Sequence, residues 1–204
     1  MPKKTSFDVG EFYQHYPRLA LIVTARSGEK ENAMAAAWHS PISMDPPLFG
    51  VAVSHKRLTY QLILESGEFG VCFLPLEKAE LIAQIGALKG QEFDKFETFN
   101  IARETPVRTS VPLLTDAYVS YECKVEAHYT LGDHEWFVGK IVATHMDEAI
   151  LNPEGLLDLG RVKPALYLGA DRYVTTAPGS QLFVDRGPIR KKFEGDTGGR
   201  QKKG

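Results

Sequence analysis

Two long runs of alternating apolar and polar residues, separated by a tight turn, constrain most strongly how this chain folds. Within residues 118–131 apolar side chains recur at every second position: Val119, Tyr121, Cys123, Val125 and Ala127. Gly132 and Asp133 then lead into a second run at residues 134–145. This pattern predicts a long β-hairpin, because side chains alternate between the two faces of a strand. Its apolar face must be buried by further strands or helices.

Shorter segments on both sides of the hairpin extend this pattern. Apolar runs predict strands at residues 19–26, 32–39, 48–53, 69–74, 166–168 and 173–174. Helical spacing predicts short helices at residues 59–66, 77–87 and 94–99. Prolines at 41, 46 and 47 exclude a long helix there, and we expect residues 38–41 to leave the sheet. The fold class predicted is mainly β, a β-barrel with a few short helices, since the long crossover helices of an α/β sheet are missing.

The length of 204 residues fits one domain. We divide the chain into an N-terminal arm at residues 1–16, a central domain at 17–177 and a C-terminal extension at 178–204. Apolar residues become sparse after Ala177, and residues 190–204 are rich in lysine and arginine. We therefore expect the extension to end in a mobile basic tail.

Charge and cysteine content exclude several functional classes. A formal net charge of −2 gives no attraction to nucleic acid, and no apolar run approaches the ~18 residues that span a bilayer. The N-terminus lacks the apolar stretch of a signal peptide. Cys72 and Cys123 lie in apolar strand segments, so we expect buried, reduced thiols in a cytoplasmic protein, with a disulfide as the alternative. The sequence contains no cluster of Cys and His residues at the spacing of a metal site.

Residues 35–41 combine three alanines with the sequence Trp38, His39, Ser40 and Pro41. Small side chains leave a strand backbone open, so a flat ring can lie against it and bond main-chain N–H and C=O groups. A tightly packed strand pair with a core tryptophan explains the same residues. This segment alone favours that second interpretation.

Residues 54–59 place two hydroxyls and two cations, Ser54, Lys56, Arg57 and Thr59, between a predicted strand and a predicted helix. A helix N-terminus offers free N–H groups and partial positive charge, which suit a phosphate, and arginine adds a fork of donors. The alternative is a solvated turn in which Thr59 caps the helix. Leu62 stands where a capping box needs Glu or Gln.

The two segments together predict a ligand better than either does alone. The strand between them can bring a ring-binding strand end and a phosphate-binding turn side by side. The expected ligand is a planar heterocycle with a phosphate group, and both FMN and pyridoxal phosphate meet that description.

The order and spacing of these motifs resemble the flavin reductase-like family of FMN-binding split barrels. The motifs are N-x-M-x-A-x-W-x-S-P-I-S-x-D-P-P-L from Asn32, S-x-K-R-x-T from Ser54 and G-E-F-x-V from Gly67. Gly132-Asp133-His134 and PALYLGADRYVT from Pro164 continue the likeness, which covers residues 17–176. The resemblance implies that residues 17–177 form an FMN-binding split-barrel domain.

The resemblance also implies roles for particular residues. The family's ring-contacting segment matches Ala36, Ala37, Trp38, His39 and Ser40, and its phosphate-binding turn matches Ser54, Lys56, Arg57 and Thr59. His134 matches a histidine near the nicotinamide side of the flavin and is the candidate catalytic residue, with a surface histidine at the hairpin as the alternative. Tyr167 and Tyr173 resemble family aromatics near the active site, with core packing as the alternative. The implied assembly is a homodimer with FMN at or near the subunit interface.

The activity implied is that of an NAD(P)H-dependent flavin or ferric reductase. Such an enzyme passes hydride from NADH or NADPH to FMN, and electrons continue to a small-molecule or protein acceptor. Two alternatives stay open at this point. One is a flavoredoxin-type FMN electron carrier without its own NAD(P)H activity, and the other is a ligand-binding barrel with no redox role.

Overall fold

The computed structural model describes residues 2–177 and 179–188, and short strands make up most of its regular structure. The strands are β1 (Arg18–Leu19), β2 (Leu21–Ser27), β3 (Lys30–Ala36), β4 (His39–Met44), β5 (Pro47–Ser54), β6 (Glu68–Phe73), β7 (Arg103–Glu104), β8 (Leu113–Leu114), β9 (Val119–Leu131), β10 (His134–Met146), β11 (Leu166–Gly169) and β12 (Arg172–Val174). The helices are α1 (Leu58–Ser66), α2 (Ala79–Ala87) and α3 (Lys95–Thr98), with single 3₁₀ turns at Leu76–Lys78 and Glu148–Ile150. The predicted class, mainly β with a few short helices, is confirmed.

Seven strands form one antiparallel sheet in the order β3-β2-β6-β9-β10-β5-β4. The predicted hairpin is confirmed as β9 and β10, and Gly132 takes the left-handed conformation that its turn requires (φ 65°). The hairpin contains bulges between Val138 and Gly139 and between Ile141 and Ala143. Bulges increase local twist, which helps so long a hairpin curve around a core. Strands β1, β11 and β12 form a second, smaller sheet, and β7 pairs with β8.

The central strands are buried on both faces, which explains why β2 is a continuous apolar run. One core cluster contains Leu21, Val23, Phe69 and Phe137, together with Leu62 and Ile63 of α1. The other contains Ile22, Cys72, Ile82, Ile85 and Phe96, so it joins α2 and α3 to the opposite face of β2. Successive residues of β2 alternate between the two clusters, as a pleated strand requires.

The structure corrects one prediction about the sheet. β3 ends at Ala36 rather than continuing to residue 39, and residues 39–44 do not leave the sheet but form β4, paired with β5. A strand is tolerated here because β4 is the edge of the seven-stranded sheet, where a missing N–H need not break a ladder. The irregularity between Pro41 and Ser43 is the local mark of the proline.

Cys72 and Cys123 are buried and free, which confirms the expectation of reduced thiols. Burial raises the pKa of the Cys72 thiol to about 11 and that of Cys123 well above its ordinary value, so neither is a reactive thiolate near neutral pH. The basic tail predicted at residues 190–204 lies outside the described residues.

Candidate functional site

A cavity of about 450 Å³ opens where the end of β3, the turn after β5 and the start of β10 meet. Its volume lies in the range of small-molecule sites. The structure brings together these predicted site residues on its wall: Ala36, Ala37, Trp38, Ser54, Arg57 and His134. The wall also includes Glu11, Tyr13, Tyr16, Met34, Ala35, Ala52 and Tyr167. His39, Ser40, Lys56 and Thr59 do not line it.

Small side chains form one wall of this cavity. Ala35 and Ala36 end β3, where they pair with Ile22 and Leu21 of β2. Just beyond them, the carbonyl of Trp38 accepts a 2.9 Å hydrogen bond from the N–H of Ala52 in β5. The alanine backbone is therefore held firmly while its methyl groups leave room for close approach by a planar ring.

Ser54 and Arg57 give the cavity a cationic, hydrogen-bonding side. Ser54 ends β5 and Arg57 is the N-cap residue of α1. No side chain caps α1, and its first turn contains no acidic residue. Within residues 2–177 and 179–188 the Arg57 guanidinium forms no ion pair. An uncapped helix N-terminus beside a free guanidinium suits a phosphate group.

Lys56 and Thr59 belong to the same turn but do not reach the cavity. Thr59 is fully buried, and its Oγ1 accepts a 2.8 Å hydrogen bond from Asn32 Nδ2, which fastens α1 to β3. The Lys56 side chain is exposed, whereas its carbonyl accepts a 2.9 Å bond from Gln91 Nε2. These contacts fix the turn and the first residues of α1 to β3 and to Gln91, so in this structure both residues support the turn from outside the cavity.

His39 and Ser40 lie on β4 and point elsewhere. His39 is buried and stacks on Phe49 with ring centroids 5.6 Å apart, and its Nε2 lies 2.8 Å from the carbonyl of Leu19. Burial lowers the pKa of His39, so its ring is neutral and Nε2 donates to that carbonyl. Ser40 is exposed and bonds the Pro41 carbonyl. Trp38 faces the cavity and His39 does not, as expected for neighbours in an extended chain.

His134 begins β10 and lies against Trp38, with ring centroids 4.9 Å apart. Its Nδ1 is 2.7 Å from Oδ1 of Asp133, and this contact lowers the pKa of the Asp133 carboxyl. An ionised carboxylate only accepts, so Nδ1 carries the shared proton and Nε2 is left for a ligand. The sequence indicates only a turn at Asp133, and the adjacent Asp-His pair is the one local signal of this contact.

Glu135, the residue after His134 in β10, joins the turn after β5 to strand β9. Its carboxylate is almost fully buried and accepts bonds from Thr130 Oγ1 at 2.9 Å and His128 Nδ1 at 2.5 Å. His55 Nε2, from the turn itself, is 3.3 Å from the same carboxylate. The bond from His128, ahead of those from Thr130 and His55, lowers the pKa of Glu135. No sequence motif pointed to this residue.

Lys95 lies buried behind the β3 wall. Its Nζ donates to the carbonyl of Ala33 at 2.9 Å and to that of Ile85 near the end of α2 at 2.7 Å. Burial, and then the positive charge of Arg57, lower its pKa to about 8. The lysine thus joins α2 and α3 to the strand that carries the alanine wall.

The N-terminal arm contributes residues to the cavity wall that no sequence motif indicates. Glu11, Tyr13 and Tyr16 lie on the cavity wall, although they precede the first strand. Tyr167, named by the resemblance, joins them there. The only signal was the aromatic density of the segment from Phe12 to Tyr16, which is unusual for an exposed tail.

A larger groove of about 760 Å³ lies on the other side of the turn, and it is lined mainly by charged residues. Glu31 pairs there with both Arg26 and Arg103, and Arg103 also pairs with Glu97. Because Arg26 and Arg103 are paired with these carboxylates, their guanidinium groups are less available to an anionic ligand than that of Arg57. The smaller cavity, with its free guanidinium and aromatic wall, is the better candidate site.

Two further findings concern the residues that the structure describes. They contain no group of three or more His, Cys, Asp or Glu side chains placed to hold a metal ion. None of their helices combines the length and the apolar character that crossing a bilayer demands.

Comparison with known proteins gives close structural relatives. An FMN-binding protein from Thermus thermophilus, with bound 1-cyclohex-2-enone, is 32% identical and superposes with a TM-score of 0.79 over 91% of this chain and 99% of that one. A flavoredoxin from Methanosarcina acetivorans is 25% identical, with a TM-score of 0.78 over 94% of this chain and 100% of its own.

Sequence comparison gives a relative with a named activity. A ferric-chelate reductase (NAD(P)H) from Archaeoglobus fulgidus is 32% identical over 137 residues, which are 66% of this chain and 79% of that protein. The model of the flavin reductase like domain matches residues 13–175, a stretch that includes the whole cavity wall apart from Glu11. The chain therefore belongs to the flavin reductase-like family, whose fold is the split barrel.

Proposed function

We propose that this protein is an FMN-dependent oxidoreductase that takes hydride from NADH or NADPH and passes electrons to an acceptor. The observation that carries the proposal is the cavity that joins an alanine wall, an aromatic side and the free Arg57 guanidinium. Proteins of similar structure include an FMN-binding protein and a flavoredoxin, and a ferric-chelate reductase (NAD(P)H) is similar in sequence.

The donor set of the cavity fits FMN. The FMN phosphate matches Arg57, the hydroxyl of Ser54 and the uncapped N-terminus of α1, because each offers positive charge or a free donor. The isoalloxazine ring matches the flat wall of Ala36 and Ala37. Pyridoxal phosphate fits less well, since Lys95, which is buried near this wall, bonds two carbonyls behind it.

Bound FMN would supply the redox chemistry, since a flavin both accepts and gives hydride. The protein's part is then to position two rings against each other, because hydride transfer depends mainly on geometry. Trp38 and the alanine wall would hold the flavin ring. His134 offers Nε2 to a polar group of the second ligand, with Asp133 fixing the orientation of its imidazole.

We propose a homodimer on the basis of an exposed apolar stripe that crosses the outer face of the sheet. Tyr129, Leu131, Ile42 and Met44 are exposed, and Tyr129 pairs with Trp136, which meets Ile42 above Gly50. Aromatic and apolar residues at this density are typical of interfaces. Trp38, itself 41% exposed, would place the cavity at or near the edge of that interface.

A flavoredoxin-type electron carrier is the second candidate, favoured by the likeness to the flavoredoxin from Methanosarcina acetivorans. It would hold FMN through the same residues and exchange electrons with a protein partner rather than with NAD(P)H. For either function we propose a cytoplasmic location, consistent with two free buried thiols. We propose no role for nucleic acid or membrane, given the net charge of −2.

The test is a visible absorption spectrum of the purified protein, before and after anaerobic addition of NADH or NADPH. We expect an oxidised-flavin spectrum that bleaches with at least one nucleotide, which would also identify the donor. A flavin spectrum indifferent to both would support the electron carrier instead. A colourless protein that fails to bind added FMN would overturn both proposals and leave a barrel without a redox role.

A further inference from the structure

The turn between β5 and α1 is closed by a 2.9 Å hydrogen bond from the N–H of Arg57 to the carbonyl of Ser54. These two residues begin and end the turn, and both line the cavity, whereas His55 and Lys56 between them do not. The four residues of so tight a turn shift together, because the bond between its ends links them. The contacts that hold the two central residues therefore constrain where the Ser54 hydroxyl and the Arg57 guanidinium lie.

The imidazole of His55 is held on two sides. Its Nε2 lies 3.3 Å from Oε2 of Glu135, and its ring meets that of Tyr60 in α1 edge to face, with centroids 5.0 Å apart. The other central residue is held through its backbone, since the Lys56 carbonyl accepts a bond from Gln91. The turn is thus fixed by one side-chain contact and one backbone contact, both outside the cavity.

Glu135 is a well-fixed partner for this contact. It lies opposite Val53 of β5 and Thr130 of β9 in the two ladders that flank β10. Thr130 Oγ1 donates to Oε2 at 2.9 Å and His128 Nδ1 to Oε1 at 2.5 Å, so β9 engages both oxygens. Because the bond from His128 lowers the pKa of Glu135, the carboxylate is ionised at neutral pH and only accepts. His55 therefore donates from Nε2, which ties the turn to the hairpin of β9 and β10.

The position of Glu135 is one where the fold favours an apolar residue. It lies on the buried face of β10, two residues before Phe137 of the core. Burying a carboxylate there has a free-energy cost that an apolar side chain avoids. What the carboxylate adds is a directional contact to the turn. Its ion pairs among the described residues are with His55 and His128 and not with Arg57, so it reaches the guanidinium only through His55.

We propose that Glu135 and His55 are positioning residues for the FMN phosphate. Glu135 fixes the imidazole of His55. That imidazole fixes the turn, so that the Ser54 hydroxyl and the Arg57 guanidinium converge on one phosphate group. Neither positioning side chain lines the cavity, and both act on binding through the turn alone. The inference rests on the proposed function, because it takes this cavity as the FMN site.

The test compares FMN with riboflavin, which has the same ring system and no phosphate, by fluorescence titration of the full chain freed of flavin. His55→Leu removes the donor to Glu135, and we expect it to weaken FMN binding roughly three- to tenfold while leaving the riboflavin dissociation constant unchanged. His55→Gln keeps a side-chain N–H donor, so it should restore most of the FMN affinity. Thr130→Val is the matched control, because it removes a bond to the same carboxylate from β9 rather than from the turn, and it should leave both constants near the wild-type values.

Glu135→Gln tests whether the carboxylate acts through His55. Alone it should weaken FMN binding, and in the His55→Leu background it should add little, because the contact is already lost. Equal losses for FMN and riboflavin in His55→Leu, an unchanged FMN constant in that variant, or additive losses in the double variant would overturn the positioning role while leaving the FMN site intact. Failure of the wild type to bind FMN would instead overturn the proposed function.

Discussion

His134 lies directly opposite Ser54 in the antiparallel pairing of β10 with β5. Two residues 80 positions apart in sequence thereby lie side by side at the end of β5 and the start of β10, on the same cavity wall as Arg57 and Trp38. The hydroxyl of the turn and the imidazole of the candidate catalytic residue then share a cavity. The register of two strands thus determines where the candidate chemistry takes place.

The first prediction separates the two cations of the turn. Arg57→Ala should weaken FMN binding about tenfold or more, because it removes a charge-assisted bond to the phosphate. Lys56→Ala is the matched control and should change the dissociation constant much less, since its side chain does not line the cavity. Fluorescence titration at low and high salt measures both, and equal losses in the two variants would contradict the phosphate assignment to Arg57.

The second prediction concerns His134. Replacement by glutamine should lower the rate of anaerobic flavin reduction by NADH or NADPH roughly 10- to 100-fold through lost positioning of the donor. Asp133→Asn should act in the same direction with a smaller effect, because it removes the negative charge beside Nδ1 but keeps an oxygen that can accept its hydrogen bond. Stopped-flow absorbance gives the rate, and the FMN dissociation constant should stay near the wild-type value. An unchanged reduction rate in His134→Gln would remove the residue from the mechanism.

The third prediction tests the homodimer. Tyr129→Glu puts a charge in the centre of the apolar stripe, where burial in an interface would leave it unpaired. We expect this variant to be a monomer by size-exclusion chromatography with light scattering. Val107→Glu, at an exposed apolar residue outside the stripe, should remain a dimer. A dimeric Tyr129→Glu protein would exclude the stripe as the interface.

The fourth prediction concerns stability. Glu122 is fully buried and accepts bonds from the N–H groups of Val107, Arg108 and Thr109 and from His145 Nε2. Glu122→Gln should lower the free energy of unfolding by about 2–4 kcal/mol in urea titrations, since it disrupts a buried charged network. Glu126→Gln, at an exposed position of the same strand, should have little effect.

The ionisation of Glu122 should also make the free energy of unfolding depend on pH. Against the cost of burial, bonds led by that from Val107 hold the pKa of Glu122 at about 2 rather than the ordinary 4.5. The contribution of ionised Glu122 to the free energy of unfolding is therefore fully present above pH 4.5 and is lost as the pH falls through about 2. The pKa of His145 is raised by its bonds to Glu122 and then Glu104, despite burial, so its contribution is lost as the pH rises through that raised value. The stability gap between the wild type and Glu122→Gln should thus narrow in acid.

The sequence by itself determined the elements whose signals are local. The alternation in β9 and β10, the alanines before Trp38 and the cations after β5 each lie within a few neighbouring residues, so periodicity and spacing reveal them. The family motifs are similarly local, and they implied the split barrel and the residues of the cationic turn.

Only the tertiary structure decided which side chains share the cavity. In the folded chain His39 is buried in the core and Thr59 accepts a hydrogen bond from Asn32. Strand β4 lies at the edge of the sheet, where Pro41 is tolerated. The tertiary structure also brought the arm's Tyr16 to Trp38. The physical reason is that these contacts join residues distant in sequence, and their partners are set by sheet register and by packing on two cores rather than by any local pattern.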